Sequence, residues 1–298
     1  MSAEDDERSK PDPHRPSAMR VMLGAELRRL REERGLSRLA AARAIHAPES
    51  TITRLELGRA VADHETVDVL LTLYDVEDPR AREAYLTILE HGNAPGWWRE
   101  YRAALPSWFE AYVGLEQSAT HIRTYQARFV PALFQTRAYA RAVTRFGKLD
   151  DDPEIEQWVE LRMARQALLD QDDPPKVWVV LDEALLRRPV GSRAVMREQI
   201  DRLLEYAERP NVTLLILPFN VGGHGAGAGS FTVLRLAHRD VRELVYLEQL
   251  TTSVYLDDRE DVEGYKRVLD RMAADALSAQ ETKAMLRQLR DFDGDPPV

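Results

Sequence analysis

At 298 residues the chain is long enough for two domains, each with its own core. It has no Cys, which excludes disulfides and thiolate zinc sites. Its formal charge of −9 argues against a nucleic-acid partner for the chain as a whole, but the local balance matters more than the sum. No apolar run is long enough to span a bilayer, so no membrane partner is expected. Residues 1–17 are rich in Ser, Pro and charge and read as a disordered tail. They hold no apolar segment behind a basic one, as a secretory signal would, and a cytoplasmic location is expected.

The first helix is expected near Arg20 to Arg34, with Leu23, Leu27 and Leu30 on its buried stripe and Gly35 at its end. Two short helical patterns come next. In the first, Leu39, Ala42 and Ile45 recur at a spacing of three, and Ser37 suits the N-cap. In the second, Ile52 and Leu55 repeat that spacing, Pro48 suits the start and Gly58 the stop. Helices joined so closely cross steeply, which is the helix-turn-helix arrangement. The small Ala40, Ala41, Ala42 and Ala44 let them approach. The outer face of the second carries Glu49, Ser50, Thr53 and Arg54, side chains of the kinds that reach base edges and phosphates. From Arg20 to Arg59 nine Arg stand against five Glu, leaving +4 in an acidic chain. Asp63 then suits the cap of a helix carrying Val67, Leu70, Leu71 and Tyr74, and Asp78-Pro79 that of one carrying Tyr85, Leu86 and Leu89.

The run from Ser37 to Arg59 resembles the Xre-type helix-turn-helix of Cro-like phage repressors, with two departures. His46 stands where that family usually has Gly, at a turn that needs a left-handed backbone, and Leu57 stands where it has Asn or Ala. The resemblance implies an all-α, five-helix, phage-repressor-like domain over residues 18–92. It points Glu49, Ser50 and Arg54 into the major groove. Arg54 is then a candidate for a bidentate contact to guanine, and Glu49 for accepting from a cytosine amino group. Thr53 shares that polar face. Arg38 opens its helix beside the DNA backbone, and Arg43, Thr51 and Arg59 are phosphate candidates. For Arg43 the plain reading, a solvated surface charge, stays equally open. The resemblance sets Glu56 against Arg31 as an ion pair tying helices together, so Glu56 reads as structural.

Breakers from His91 to Gly96 mark a boundary. Residues 93–117 read as a helical linker dense in aromatics: Trp97, Trp98, Tyr101, Trp108, Phe109 and Tyr112. They form either an exposed partner surface or, as the commoner case has it, a core seam between the DNA-binding domain and the C-terminal one. Residues 118–290 read as an α+β domain. Strands are expected near His121–Val130, Lys176–Leu181, Asn211–Leu217, Phe231–Leu236, Glu243–Leu247 and Ser253–Leu256. Helices are expected at Thr136–Arg145, Pro153–Leu169, Ser192–Glu208, Arg259–Ala274 and Ser278–Leu289. Residues 291–298 read as a flexible tail.

Several segments of this half resemble those of antitoxin-like actinobacterial regulators. They include Trp97-Trp98-Arg99-Glu100-Tyr101, Val130-Pro131-Ala132-Leu133-Phe134-Gln135-Thr136, Asp182 to Gly191, Glu208 to Thr213 and Tyr255-Leu256-Asp257-Asp258. The resemblance implies a transcriptional regulator of a group of which many are encoded beside a small partner protein, and it does not imply an enzymatic activity.

Three clusters have a chemical and a plainer reading. The Gly222–Ser230 loop offers an anion cradle but lacks the Lys and helix start of a P-loop, and reads as a loop between strands. Asp257, Asp258, Glu260 and Asp261 suit a divalent cation, but at a helix start they read as capping. Asp182, Glu183 and Glu248 suit paired carboxylates, but structural or partner-binding roles are favoured. No cofactor, metal or catalytic residue is assigned. The expected function is a homodimeric regulator on a near-palindromic double-stranded operator, with a second domain that dimerises and binds the small partner protein. The alternatives are an antitoxin masking its partner, and a small-molecule sensor or enzyme using a pocket in the second domain.

Overall fold

The structure is a computed structural model describing residues 18–58, 60–93, 97–101, 107–146, 154–227, 229–236, 243–250 and 252–291. The expected tail of residues 1–17, the C-terminal tail apart from Asp291, residues 94–96 of the boundary and the phosphate candidate Arg59 lie outside these residues, while His91, Gly92 and Asn93 end a helix. The chain divides into two compact units, residues 1–96 and 97–298.

The first unit is five helices: α1 (Ala18–Glu33), α2 (Arg38–Ala44), α3 (Glu49–Glu56), α4 (His64–Leu73) and α5 (Pro79–Asn93). The expected caps close their first turns. Ser37 Oγ accepts from Ala40 N at 3.1 Å, Asp63 Oδ1 from Thr66 N at 2.8 Å and Asp78 Oδ1 from Arg80 N at 3.0 Å. Gly35 and Gly58 take positive φ just past α1 and α3. Leu23, Leu27, Ala41, Ala42, Ile52, Leu55, Val67, Leu70, Leu71 and Tyr74 form the core. Four expected apolar positions differ, Ile45 and Leu86 being half-buried. Leu30 is half-buried, and Leu39 is 45% exposed because Ala41 and Ala42 make the close face of α2. Two small residues let the backbones approach further than a Leu would permit.

The second unit is α+β. Its elements are α6 (Ser107–Gln117), β1 (Ala119–Gln126), α7 (Arg137–Arg145), α8 (Glu154–Arg165), β2 (Lys176–Asp182), α9 (Glu183–Arg187), α10 (Arg193–Tyr206), β3 (Val212–Leu217), β4 (Phe231–Leu236), β5 (Leu244–Glu248), β6 (Ser253–Leu256), α11 (Arg259–Asp275) and α12 (Ala279–Asp291). One sheet runs β3-β2-β1-β4-β5-β6. Its β3-β2-β1 half is parallel and its β4-β5-β6 half antiparallel, joined by the antiparallel pair β1·β4. Alternation sends Tyr125, Val180, Phe231, Val233 and Val245 to the face that packs on Val262, Leu269 and Met272 of α11. The opposite face meets α6, where Tyr112 stacks on Tyr246 with ring centroids 4.1 Å apart. Edge strand β3 is covered: Thr282 Oγ1 of α12 accepts from Ile216 N, and Leu277 N donates to Ile216 O.

Helix α6 falls in the stretch read as a linker, yet it lies on this sheet. Trp97, Phe109 and Tyr112 make their contacts within the unit as well. Trp97 Nε1 donates to Gln117 Oε1 at 3.3 Å, and the Phe109 and Trp158 rings are 5.5 Å apart. Between them runs a buried ion pair foreshadowed by no sequence motif. Glu116 accepts twice from Arg165, at 2.7 Å each, and the guanidinium lies over the Phe109 and Tyr112 rings.

The flagged carboxylates separate into three tasks. Asp182 Oδ1 caps α9 and its Oδ2 accepts from Tyr125 Oη at 2.8 Å. Glu183 pairs with Arg187 and accepts from Phe219 N. Glu248 accepts from Tyr246 Oη at 3.3 Å. Asp258 caps α11, accepting from Glu260 N. The glycine-rich loop joins β3 to β4 and is pinned there. His224 Nδ1 accepts from Ala226 N, which leaves the neutral ring's proton on Nε2, 3.2 Å from Tyr125 Oη. Among the described residues no helix is long and apolar enough to cross a membrane, and no three His, Asp or Glu gather where one ion could be held.

Removing one partner of the Glu116–Arg165 pair leaves a charge under aromatic rings. Arg165→Met is therefore expected to lower unfolding stability by about 3–5 kcal/mol in urea titration. A loss below about 1 kcal/mol would show the pair to be solvated and dispensable.

Candidate nucleic-acid interface

Helix α3 is held by its inner side and free on its outer one. Ile52 and Leu55 are buried, and the backbone behind them is close to α1. A Cβ added to Gly24 would run into the carbonyl oxygen of Leu55 and come within 2.7 Å of that of Glu56. Glycine in a helix interior weakens that helix, and here it admits the backbone of α3. A glycine inside the stripe of Leu23 and Leu27 was the visible signal, and sequence reasoning passed over it.

The Glu56 side chain fixes the same contact. Arg31 Nε donates to Glu56 Oε1 at 2.6 Å and Arg31 Nη2 to Oε2 at 3.2 Å, with both side chains buried. Arg31 Nη1 reaches Leu36 O, the residue that leads into α2. The hydrogen bonds that Arg31 donates to the Glu56 carboxylate hold its pKa above the ordinary value. Arg38 joins the cluster: its Nε donates to Glu56 Oε2 at 3.1 Å. The candidate for the DNA backbone is thus half-buried and already engaged by a carboxylate. Its place at the first residue of α2 gave no hint of this in sequence.

The turn between α2 and α3 has the strained geometry expected of it. His46 takes φ 51°, and Ala47 N closes on Ala42 O at 2.9 Å. Beyond the turn, Glu49, Ser50 and Arg54 are exposed along one side of α3, and Thr51 and Thr53 are half-buried. Arg43 is exposed in the last turn of α2.

The local arginines are mostly engaged within the protein. Arg28 pairs with Glu32, Arg29 with Glu26 and Glu33, Arg34 with Asp75, and Arg31 and Arg38 with Glu56. Arg20 Nε donates to Gly92 O. Arg43 and Arg54 have no carboxylate or hydrogen-bond partner among the described residues. Leu57, noted in sequence only as a departure from the family pattern, and Val61, which was not singled out, are exposed apolar residues just past α3. Side chains of that kind meet thymine methyl groups in a groove.

Residues 22–84 match the model of a helix-turn-helix domain. Residues 109–288, more than half of the chain, match the model of a domain of unknown function, DUF5753. The chain belongs to the DUF5753 family. Neither a curated protein nor a solved structure matches it. This DUF5753 protein therefore joins an α+β unit to a helix-turn-helix domain, which supports a DNA-binding regulator.

In this DUF5753 protein Glu56→Ala is expected to leave Arg31 buried without a counter-charge. Loss of about 3–5 kcal/mol in the first unit's unfolding transition is the expected result. A second variant, Gly24→Ala, separates charge from close packing and is expected to cost about 1–3 kcal/mol. Native stability in both variants would mean that α3 is not held in this way.

Proposed function

We propose that the protein is a sequence-specific transcriptional regulator that binds double-stranded DNA as a homodimer, with α3 in the major groove. One observation carries the reading. On an acidic chain, the two local guanidiniums without a protein partner among the described residues, Arg43 and Arg54, stand on the helix-turn-helix. Phosphates and guanine edges are the groups that such side chains are suited to meet. Arg54 then reads a base, Glu49 and Ser50 flank it, and Arg43 and Thr51 hold the backbone. Arg38, shared with Glu56, serves the backbone only weakly. Thr53 lies beside Arg54 on the same helix, and Arg59 remains a phosphate candidate.

A single domain of this kind covers a half-site, so two copies on a near-palindrome supply the affinity. The second unit dimerises and receives a signal. The resemblance to antitoxin-like actinobacterial regulators makes a small partner protein encoded nearby the first choice for that signal. No catalytic role belongs to this reading. A cytoplasmic location follows from the DNA partner. The second reading, a small-molecule-switched regulator, is favoured by a cavity of about 1310 Å³ in the second unit.

Footprinting upstream of the protein's own coding sequence, with and without the neighbouring small protein, tests the whole. Protection of two half-sites about one helical turn apart is expected. In gel shifts, Arg54→Ala is expected to cost about 1–3 kcal/mol, or about 5- to 150-fold, and to relax one base position. Arg43→Ala is expected to lower the salt slope by about 0.9 while leaving base preference alone. Unchanged binding by Arg54→Ala defeats its assignment.

A further inference from the structure

The cavity of the second unit is lined from both sides of the sheet, by residues of α6 and α8 on one and of α11 on the other, and its walls carry charges of both signs. Phe109, Tyr112, Trp158 and Tyr246 line it, and so do Arg162 and Arg165. Glu116 also lines it, but both its oxygens are taken by Arg165. That leaves Arg162. Its single hydrogen bond among the described residues runs from Nη1 to the neutral Gln135 Oε1 at 2.9 Å, so four N–H donors remain unused.

Gln135 is not free to move towards them. Its Nε2 donates to Val130 O at 2.7 Å, and its own carbonyl accepts from Gln166 Nε2 at 2.7 Å. Gln199 anchors the same turn through Phe134 O and Thr136 N. Glu248 lines the cavity but makes no ion pair with Arg162 and accepts from Tyr246 instead. Burial, with the Arg165 charge beside it, pushes the Arg162 pKa down to about 10. On α8, among aromatic rings and beside a like charge, this guanidinium has a neutral partner fixed on a rigid turn and donors open to a ligand.

We propose that this cavity binds a small organic anion with a planar ring, its acidic group on the open fork of Arg162 and its ring against the aromatic walls. A carboxylate or sulfonate matches the planar donors of the guanidinium, and a flat ring matches walls made of Phe, Tyr and Trp. The inference names the ligand class for the small-molecule reading of the second unit, and it does not depend on α3 reading DNA.

The test uses the full chain and 8-anilinonaphthalene-1-sulfonate as the fluorescent probe. One-site binding is expected, displaced by 1-naphthoate and not by neutral 1-naphthamide at equal concentration. Arg162→Gln keeps a donor for Gln135 and removes the charge. It is expected to weaken displacement by naphthoate about ten- to a hundredfold, with a Tm at or above that of the unaltered chain. The proposal is overturned by equal displacement by the two competitors, by no probe binding, or by a marked fall in Tm on Arg162→Gln. The comparison of naphthoate with naphthamide needs no variant. None of these failures touches the gel-shift result, so loss of the ligand and loss of the DNA reading are told apart.

Discussion

A single carboxylate, Glu56, decides where α3 stands. It takes hydrogen bonds from Arg31 of α1 and Arg38 of α2, so the first three helices meet at one buried group. Burying charge is costly, and the arrangement is tolerable because each oxygen of the carboxylate is occupied and the guanidinium makes a further bond to Leu36 O. Apolar packing by Ile52 and Leu55 sets a distance but little rotation. The ion cluster, together with the backbone contact at Gly24, sets the rotation. Rotation is what matters for a helix whose outer side must present Glu49, Ser50 and Arg54 together.

The second unit poses the same electrostatic problem twice and answers it in two ways. Arg165 is buried and fully met: Glu116 supplies both oxygens, and rings cover the guanidinium faces. Arg162, one turn earlier on α8, has a neutral partner and open donors beside the cavity. The two side chains share a helix, so helix propensity explains neither difference. What separates them is whether a carboxylate was supplied within the chain. A buried polar group that is fully satisfied within the chain, as Arg165 is, specifies a structure.

Most elements were legible because their periodicity and caps are local. Ser37, Asp63, Thr136, Ser192 and Asp258 each bond the first turn of a helix, a signal that lies within three residues. Strands β2, β3, β4 and β6 were visible as apolar or alternating runs for the same reason. The short helix α9 was missed, since five residues are too few to show a period. The interactions that build the sites are long-range and left little trace. Glu116 and Arg165 are 49 residues apart, and Tyr125 and His224 are 99 apart. The glycine-rich loop looked like a plain connection because its anchor, Tyr125, lies on a distant strand. Leu39 misled for a different reason: spacing identifies a face but not which of two faces is pressed against a neighbour, and alanines won that contest by being small.

Composition misleads about this protein unless charges are followed to their partners. A sum of −9 over the chain says nothing about the surface that a phosphate meets at contact distance, and even the local +4 overstates what is available. Five of the nine arginines in that stretch are held by carboxylates, and they support helices. The charge that can act outward is smaller and better placed: Arg43 closes α2 and Arg54 sits on α3, on either side of the turn at His46. Two guanidiniums free of internal partners among the described residues are a small charge, and binding to phosphates through so few is salt-sensitive. The physical economy of the helix-turn-helix is therefore one of subtraction. Internal pairing consumes the arginines that build the scaffold, and what remains unpaired marks the surface left for another molecule.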